Sequence, residues 1–240
     1  MIFFENVYKK FGNREILKGI DLAIEDSKTT VIFGVSGGGK STIIKHIVGL
    51  LQPDSGTITV NGIKVNNASE ETLQKIRKKV GFLFQNGALF DSMNIRDNVA
   101  FPMIEHQKLT TKELEYKIDE KLSMVGLQPS IVKTLFPEEL SGGMRKRVGL
   151  ARTLALEPEV ILYDEPTSGL DPVTSDFITQ MICRLRDEIN MTSVLISHDI
   201  AESFKAGDNY AMLFDGKIIE TGSKKDFINS VNPVVQQFIN

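Results

Sequence analysis

The chain has 240 residues, 41% of them hydrophobic and 25% charged, with a formal net charge of −3. That is the composition of a globular protein long enough to bury a sizeable core, and its acidic balance excludes the overall basic field that draws a protein to nucleic acid or anionic lipid. The single cysteine, Cys183, excludes an intrachain disulfide and a Cys-rich zinc site; within the apolar run 177–183 it reads as a buried structural thiol.

Met1-Ile-Phe-Phe-Glu-Asn lacks the basic start and long apolar core of a signal peptide, and no apolar run reaches the roughly 18 residues of a membrane span. The expectation is a cytosolic chain that meets a membrane only through a partner. β-Type segments open the chain at 2–7 and 19–24, the second alternating in polarity. An apolar strand at 29–33 runs into a glycine-rich loop, followed by a helix to about residue 51. Gln52-Pro-Asp-Ser-Gly56 is a turn signal, 57–62 a hairpin strand and 79–84 a further strand.

From Asn94 to about Leu156 the pattern turns helical, charged between 110 and 121 and broken at Pro129 and Pro137. The runs 159–163 and 193–197 are apolar throughout, as parallel strands covered on two faces are; a helix over 172–189 separates them. Strands at 210–214 and 217–220 flank Asp215-Gly216, a two-residue hairpin turn. The expected fold is α/β, a nucleotide-binding core with a mostly helical insertion near 86–155, in one domain over 1–240.

Gly34-Val35-Ser36-Gly37-Gly38-Gly39-Lys40-Ser41 matches G-x-x-x-x-G-K-[ST] in full, between an apolar strand and a helix. Glycines let backbone N–H groups turn inward around phosphates, and the following helix aims its positive end at them. Lys40 supplies a cation for the β- and γ-phosphates, and the Ser41 hydroxyl can ligate Mg²⁺. Residues 34–41, with Thr42 next in the helix, are the expected triphosphate-binding set.

Val160-Ile-Leu-Tyr-Asp164-Glu165 is an apolar strand ending in two carboxylates. Asp164 can hold Mg²⁺ through water, and Glu165 can orient or deprotonate an attacking water. His198 follows another apolar strand of the same expected sheet, whose carboxyl edge carries the site, so it is placed at the γ-phosphate. His46 and His106 show no metal-ligand spacing with it.

Leu140-Ser141-Gly142-Gly143-Met144 opens a helix expected over 144–156, a second device presenting N–H groups and a hydroxyl at a positive helix end. Together with the phosphate loop, Asp164-Glu165 and His198, it resembles the ABC ATPases over essentially the whole chain. The resemblance implies a P-loop core of ABC-ATPase type with an antiparallel β subdomain. It also implies that Ser141, Gly142 and Gly143 meet the γ-phosphate held by a second copy. Met144 stands where the family usually has glutamine, which leaves the Ser-Gly-Gly contacts intact. Gln85 resembles the glutamine that reaches Mg²⁺ and links it to the helical insertion. Asp171, in Ser168-Gly-Leu-Asp171, resembles the loop that crosses the dimer interface. Phe11 matches the aromatic stacked on adenine, with Tyr8 as second candidate. Asp26-Ser-Lys-Thr29 lacks the Gly-Glu often found before the phosphate-loop strand.

Within that family, residues 82–102 and Leu140-Ser-Gly-Gly-Met-Arg-Lys-Arg147 are similar to the ATPases of Mla/Mce-associated phospholipid transporters. The implied partners are a second copy, a transmembrane permease, and substrate-binding and small regulatory subunits, at the cytoplasmic face of the inner membrane and without nucleic acid. Ala88, Leu89, Phe90 and Met93 would suit the groove that receives the permease, or pack within the helical insertion. Arg145-Lys-Arg147 reads as a solvated basic face. The carboxyl terminus, Gln237-Phe-Ile-Asn240, is expected to lack the long extension some family members carry. Two rivals stand beside this reading: a soluble ABC ATPase of translation or DNA repair, and a non-hydrolysing nucleotide-binding scaffold.

Overall fold

The computed structural model describes residues 1–239; Asn240, where the sequence reading closed the domain, lies outside them. The chain opens with β1 (Ile2–Phe11) and β2 (Arg14–Ile24), an antiparallel hairpin longer than the two short runs expected. Its polar tip has no alternation to read. β1 stays paired with β2 as far as Phe11 and Arg14, and lateral bonds flank it: the Lys10 amide donates to Asp54 Oδ2 at 2.7 Å and Lys9 Nζ to the Gln52 carbonyl at 2.8 Å. Next come β3 (Thr29–Phe33), α1 (Lys40–Ile47), β4 (Ser55–Val60), β5 (Ile63–Lys64), α2 (Glu70–Lys79) and β6 (Val80–Leu83). Helix α1 stops short of residue 51.

Between β6 and the next strand lie α3 (Ile95–His106), α4 (Thr111–Met124), α5 (Pro129–Val132), a 3₁₀ turn (Pro137–Glu139) and α6 (Gly142–Leu154). Helix α6 begins two residues before the expected start. The chain then runs through β7 (Val160–Asp164), α7 (Pro172–Ile189), β8 (Thr192–Ile196), α8 (Ile200–Ala206), β9 (Asn209–Phe214), β10 (Lys217–Ser223), α9 (Lys224–Ile228) and α10 (Pro233–Ile239).

Among the described residues the strands form a four-stranded antiparallel sheet, β2-β1-β4-β5, and a six-stranded sheet, β10-β9-β3-β8-β7-β6. In the second, β9, β3, β8, β7 and β6 run parallel and β10 closes one edge antiparallel. Alternate side chains of a strand face opposite ways, so each central strand feeds two cores. Val31, Phe33, Ile161, Tyr163 and Leu195 join the core shared with the helices between β6 and β7. Ile32, Leu162, Val194 and Ile196 join a second core with α1 and the antiparallel sheet. The parallel order brings the carboxyl ends of β3, β6, β7 and β8 to one edge, where ligands of open α/β sheets bind.

Candidate nucleotide site

At that edge β3 passes into the glycine-rich loop. Gly34 has φ +151°, and a Cβ there would lie 2.5 Å from the Leu213 carbonyl oxygen, so glycine is required by approach as well as by conformation. Gly39, at φ +105°, is the N-cap of α1 and provides no side-chain cap. The first N–H groups of α1 therefore have no partner within the helix, and its positive end opens onto the loop. Lys40, only 5% exposed, donates from Nζ to the carbonyls of Gly34 at 2.6 Å and Val35 at 2.9 Å. Burial pushes its ammonium pKa down, and the carboxylates of Glu165 and Asp164 oppose that shift.

A cleft of about 310 Å³ is lined by Ile16, Ser36, Gly37, Gly39, Lys40, Ser41, Thr42, Gln85 and Glu165. A second cleft continues from it along Arg14, Ile16, Val35, Gly38 and Phe214. Phe11, half exposed at the end of β1 with Lys9 Nζ 5.5 Å from its ring centre, lines neither, and nor does Tyr8. A larger cleft of about 720 Å³ opens at the amino ends of the strands, between Asn61, Glu159 and Met191, and contains none of the expected catalytic, metal-holding or phosphate-binding residues.

Ser41 Oγ donates to Asp164 Oδ1 at 2.9 Å, joining the start of α1 to the end of β7. Burial raises the Asp164 carboxyl above its ordinary pKa, against the lowering effect of the Ser41 bond. Hydroxyl, carboxylate and amide oxygens suit a small hard cation completed by phosphates and water. No cluster of three or more His, Cys, Asp or Glu side chains able to hold a metal occurs among the described residues.

A carboxyl whose pKa is raised by folding contributes stability below its unfolded pKa and loses it as pH rises through the folded value. The ionised form of Asp164 is thus a net cost to the nucleotide-free fold. Asp164→Asn keeps an acceptor for Ser41 and removes the charge; its nucleotide-free melting temperature at pH 7 should rise above that of the unsubstituted chain. Thermal melts with and without Mg²⁺ and ATP check this, with the Mg²⁺-dependent gain abolished in the variant.

Glu165, the residue after β7, sits in the left-handed region at φ +50° and is held there by its amide bond to the Ile196 carbonyl at 2.9 Å. Such a backbone costs a non-glycine residue about 1–2 kcal/mol. The geometry brings Glu165 Oε2 to 3.2 Å from Gln85 Nε2 and 3.5 Å from His198 Nδ1. Gln85 and His198, from just past the ends of β6 and β8, thus flank the Glu165 carboxylate beside the phosphate loop.

Ser141, Gly142 and Gly143 do not line this cleft. Ser141 is the N-cap of α6, its Oγ accepting from the Met144 amide at 3.2 Å, and Ser141 and Gly142 are exposed. Asp171 likewise caps α7, accepting from the amides of Val173 and Thr174 at 3.1 and 3.0 Å and from the Thr174 hydroxyl at 2.6 Å. The Thr174 hydroxyl bond holds its carboxyl below the usual range.

Of Arg145-Lys-Arg147, only Arg145 is exposed: Arg147 packs on the Phe177 ring and donates to the Gly126 carbonyl, and Lys146 is buried. Cys183 is half-buried rather than sealed in the core. In the loop after Gln85, Ala88 and Phe90 are exposed, whereas Leu89 packs against the core. The organisers of that loop carry no motif. Asn98, fully buried, accepts from the Phe90 amide at 2.8 Å and donates to the Met93 carbonyl at 2.9 Å. Arg152 donates to the Gly87 carbonyl at 2.9 Å and stacks 5.4 Å from the Phe90 ring centre.

A phosphate loop at the edge of a largely parallel sheet, with a carboxylate pair on the neighbouring strand, defines a P-loop nucleoside-triphosphate-binding fold of cassette type. The family model described as "ABC transporter" matches residues 17–168, and the chain belongs to that family. It is 43% identical over 232 residues to the probable ribonucleotide transport ATP-binding protein mkl of Mycobacterium tuberculosis, covering 97% of the chain. It spans only 64% of that relative's length. It is 38% identical over 239 residues to the intermembrane phospholipid transport system ATP-binding protein MlaF of Haemophilus influenzae, covering 100% of the chain and 90% of the relative. The fold matches the dimeric ATP-binding cassette MJ0796 in a post-hydrolysis state bound to ADP and Pi. That match has a TM-score of 0.86 at 33% identity and covers 93% of this chain and 98% of that one.

Proposed function

We propose that this chain is the ATP-hydrolysing subunit of a membrane transporter and works as a head-to-tail pair, each of two ATP molecules lying between the phosphate loop of one copy and the Ser141 helix end of the other. The observation that carries the reading is the convergence of Gln85 and His198 on the Glu165 carboxylate beside a phosphate loop with Lys40 and Ser41 in place. Lys40 and the amides of residues 34–42 neutralise and orient the phosphates. Glu165 orients or deprotonates the attacking water, and His198 holds the γ-phosphate against it. Ser41, Asp164 and Gln85 are the residues that would hold Mg²⁺, which would supply charge neutralisation for the phosphates.

The pairing is supported by the position of Ser141–Gly143 away from their own phosphate loop, and by the dimeric state of the cassette related in structure. Ser141→Asp tests it selectively. Aspartate caps a helix as well as serine, so the melting temperature should hold within about 2 °C. The added anion would face the γ-phosphate of the other copy, and ATP-driven association measured by light scattering should be lost. In the pair, Asp171 lies at the interface and Phe11 stacks on the adenine.

No helix among the described residues is long and apolar enough to cross a membrane. In this reading coupling runs through a transmembrane permease docked at the loop after Gln85, with the chain at the cytoplasmic face of the inner membrane. Substrate-binding and small regulatory subunits complete the assembly. The full-length match to MlaF supports a phospholipid cargo, while the higher identity to mkl, whose name refers to ribonucleotide transport, supports a different one. Mass spectrometry of molecules retained by the complex purified with its membrane partners decides. Phospholipid bound in stoichiometric amount supports the first, and nucleotide in the membrane subunits the second.

A further inference from the structure

Lys146 is 6% exposed, on a helix where a solvated charge was expected. Its Nζ donates to the Ser168 carbonyl and lies 3.5 Å from the Glu165 carbonyl. The same Glu165 carbonyl accepts from the Ser168 amide at 3.2 Å, closing a turn over 165–168. Gln85 Nε2 approaches this turn from the cleft, 3.2 Å from Glu165 Oε2 and 3.4 Å from Ser168 Oγ. One side chain thus grips the turn through its side-chain oxygens and another through its backbone. Burial pushes the Lys146 ammonium pKa down, with the Glu165 carboxylate opposing the shift. A desolvated cation needs such oxygens, and the left-handed backbone of Glu165 needs an outside hold.

We infer that Lys146 is a positioning residue for hydrolysis, acting through the 165–168 turn to fix the Glu165 carboxylate. The inference rests on the ATPase reading above. Lys146→Met keeps the apolar stem and removes the donors, while Lys146→Arg keeps donors. With the purified chain, kcat for MgATP should fall about tenfold or more in Lys146→Met, because a charge-assisted hydrogen bond is lost. The ATP Kd should change by less than about twofold, and Lys146→Arg should recover most of the rate. Combined with Glu165→Gln, Lys146→Met should add less than about twofold to the loss, since both act through the same carboxylate. If the methionine variant does not fold, Lys146→Gln, which keeps a donor for one carbonyl, carries the test, and its reduced kcat supports the proposal. Wild-type kcat in Lys146→Met or Lys146→Gln, or a full tenfold further loss on top of Glu165→Gln, overturns the positioning role and leaves the ATPase reading intact. No hydrolysis by the unsubstituted chain overturns both.

Discussion

Glu165→Gln should lower the MgATP turnover number by about 10²–10⁴-fold, the contribution typical of a lost general base, with nucleotide affinity unchanged. Glutamine has the size of glutamate and can still accept from Gln85 Nε2 through its carbonyl oxygen, so the left-handed turn at φ +50° has no reason to move. What disappears is the charge that orients and deprotonates water. Since the phosphate-binding groups stay in place, ATP should accumulate uncleaved between two copies. Steady-state phosphate release and light scattering with MgATP check the two halves together. Near-normal turnover would remove Glu165 from the role assigned to it.

Lys40→Ala should weaken ATP binding by about 10²–10³-fold, measured by calorimetry. Truncating one member of a buried, hydrogen-bonded charge pair costs about 2–5 kcal/mol, and tenfold in affinity is about 1.4 kcal/mol. The nucleotide-free protein should respond differently. Lys40 is desolvated there, with its pKa depressed by burial and only the Gly34 and Val35 carbonyls accepting from it. Both carbonyls belong to the loop that borders the cleft, where water can replace the ammonium, so the melting temperature should stay within about 2 °C or rise. Loss of affinity without loss of stability separates a ligand-binding lysine from a structural one.

Much of the site was legible because chemistry and topology agree on it. The phosphate loop, Asp164-Glu165 and His198 each follow an apolar run, and parallel pairing of β3, β7 and β8 must bring such run ends to one edge. Lys146 was readable in principle. It lies in helical phase with Gly149, Leu150 and Leu154, all on the buried stripe of α6, but two flanking arginines make the local composition look solvated. Asn98 had no such signal, because its partners Phe90 and Met93 belong to an irregular loop whose path only tertiary packing sets. Helix α2 was overlooked because it buries only Leu73 and Ile76; its cap, Ser69 accepting from the Thr72 amide, was present in the sequence. The tip of the first hairpin carries no alternation to read, because cross-strand pairing and hydrogen bonds to residues 52–54 hold it.

The central claim is that each ATP is shared between two copies, and mixing two defective chains tests it most directly. Lys40→Ala has no working phosphate loop but an intact Ser141 helix end, and Ser141→Asp has the reverse. Each alone should neither associate with MgATP nor hydrolyse it. In a head-to-tail pair of one of each, one of the two composite sites is complete. The equimolar mixture should therefore regain ATP-dependent association and measurable phosphate release, whereas a mixture no more active than its separate components would contradict the shared site.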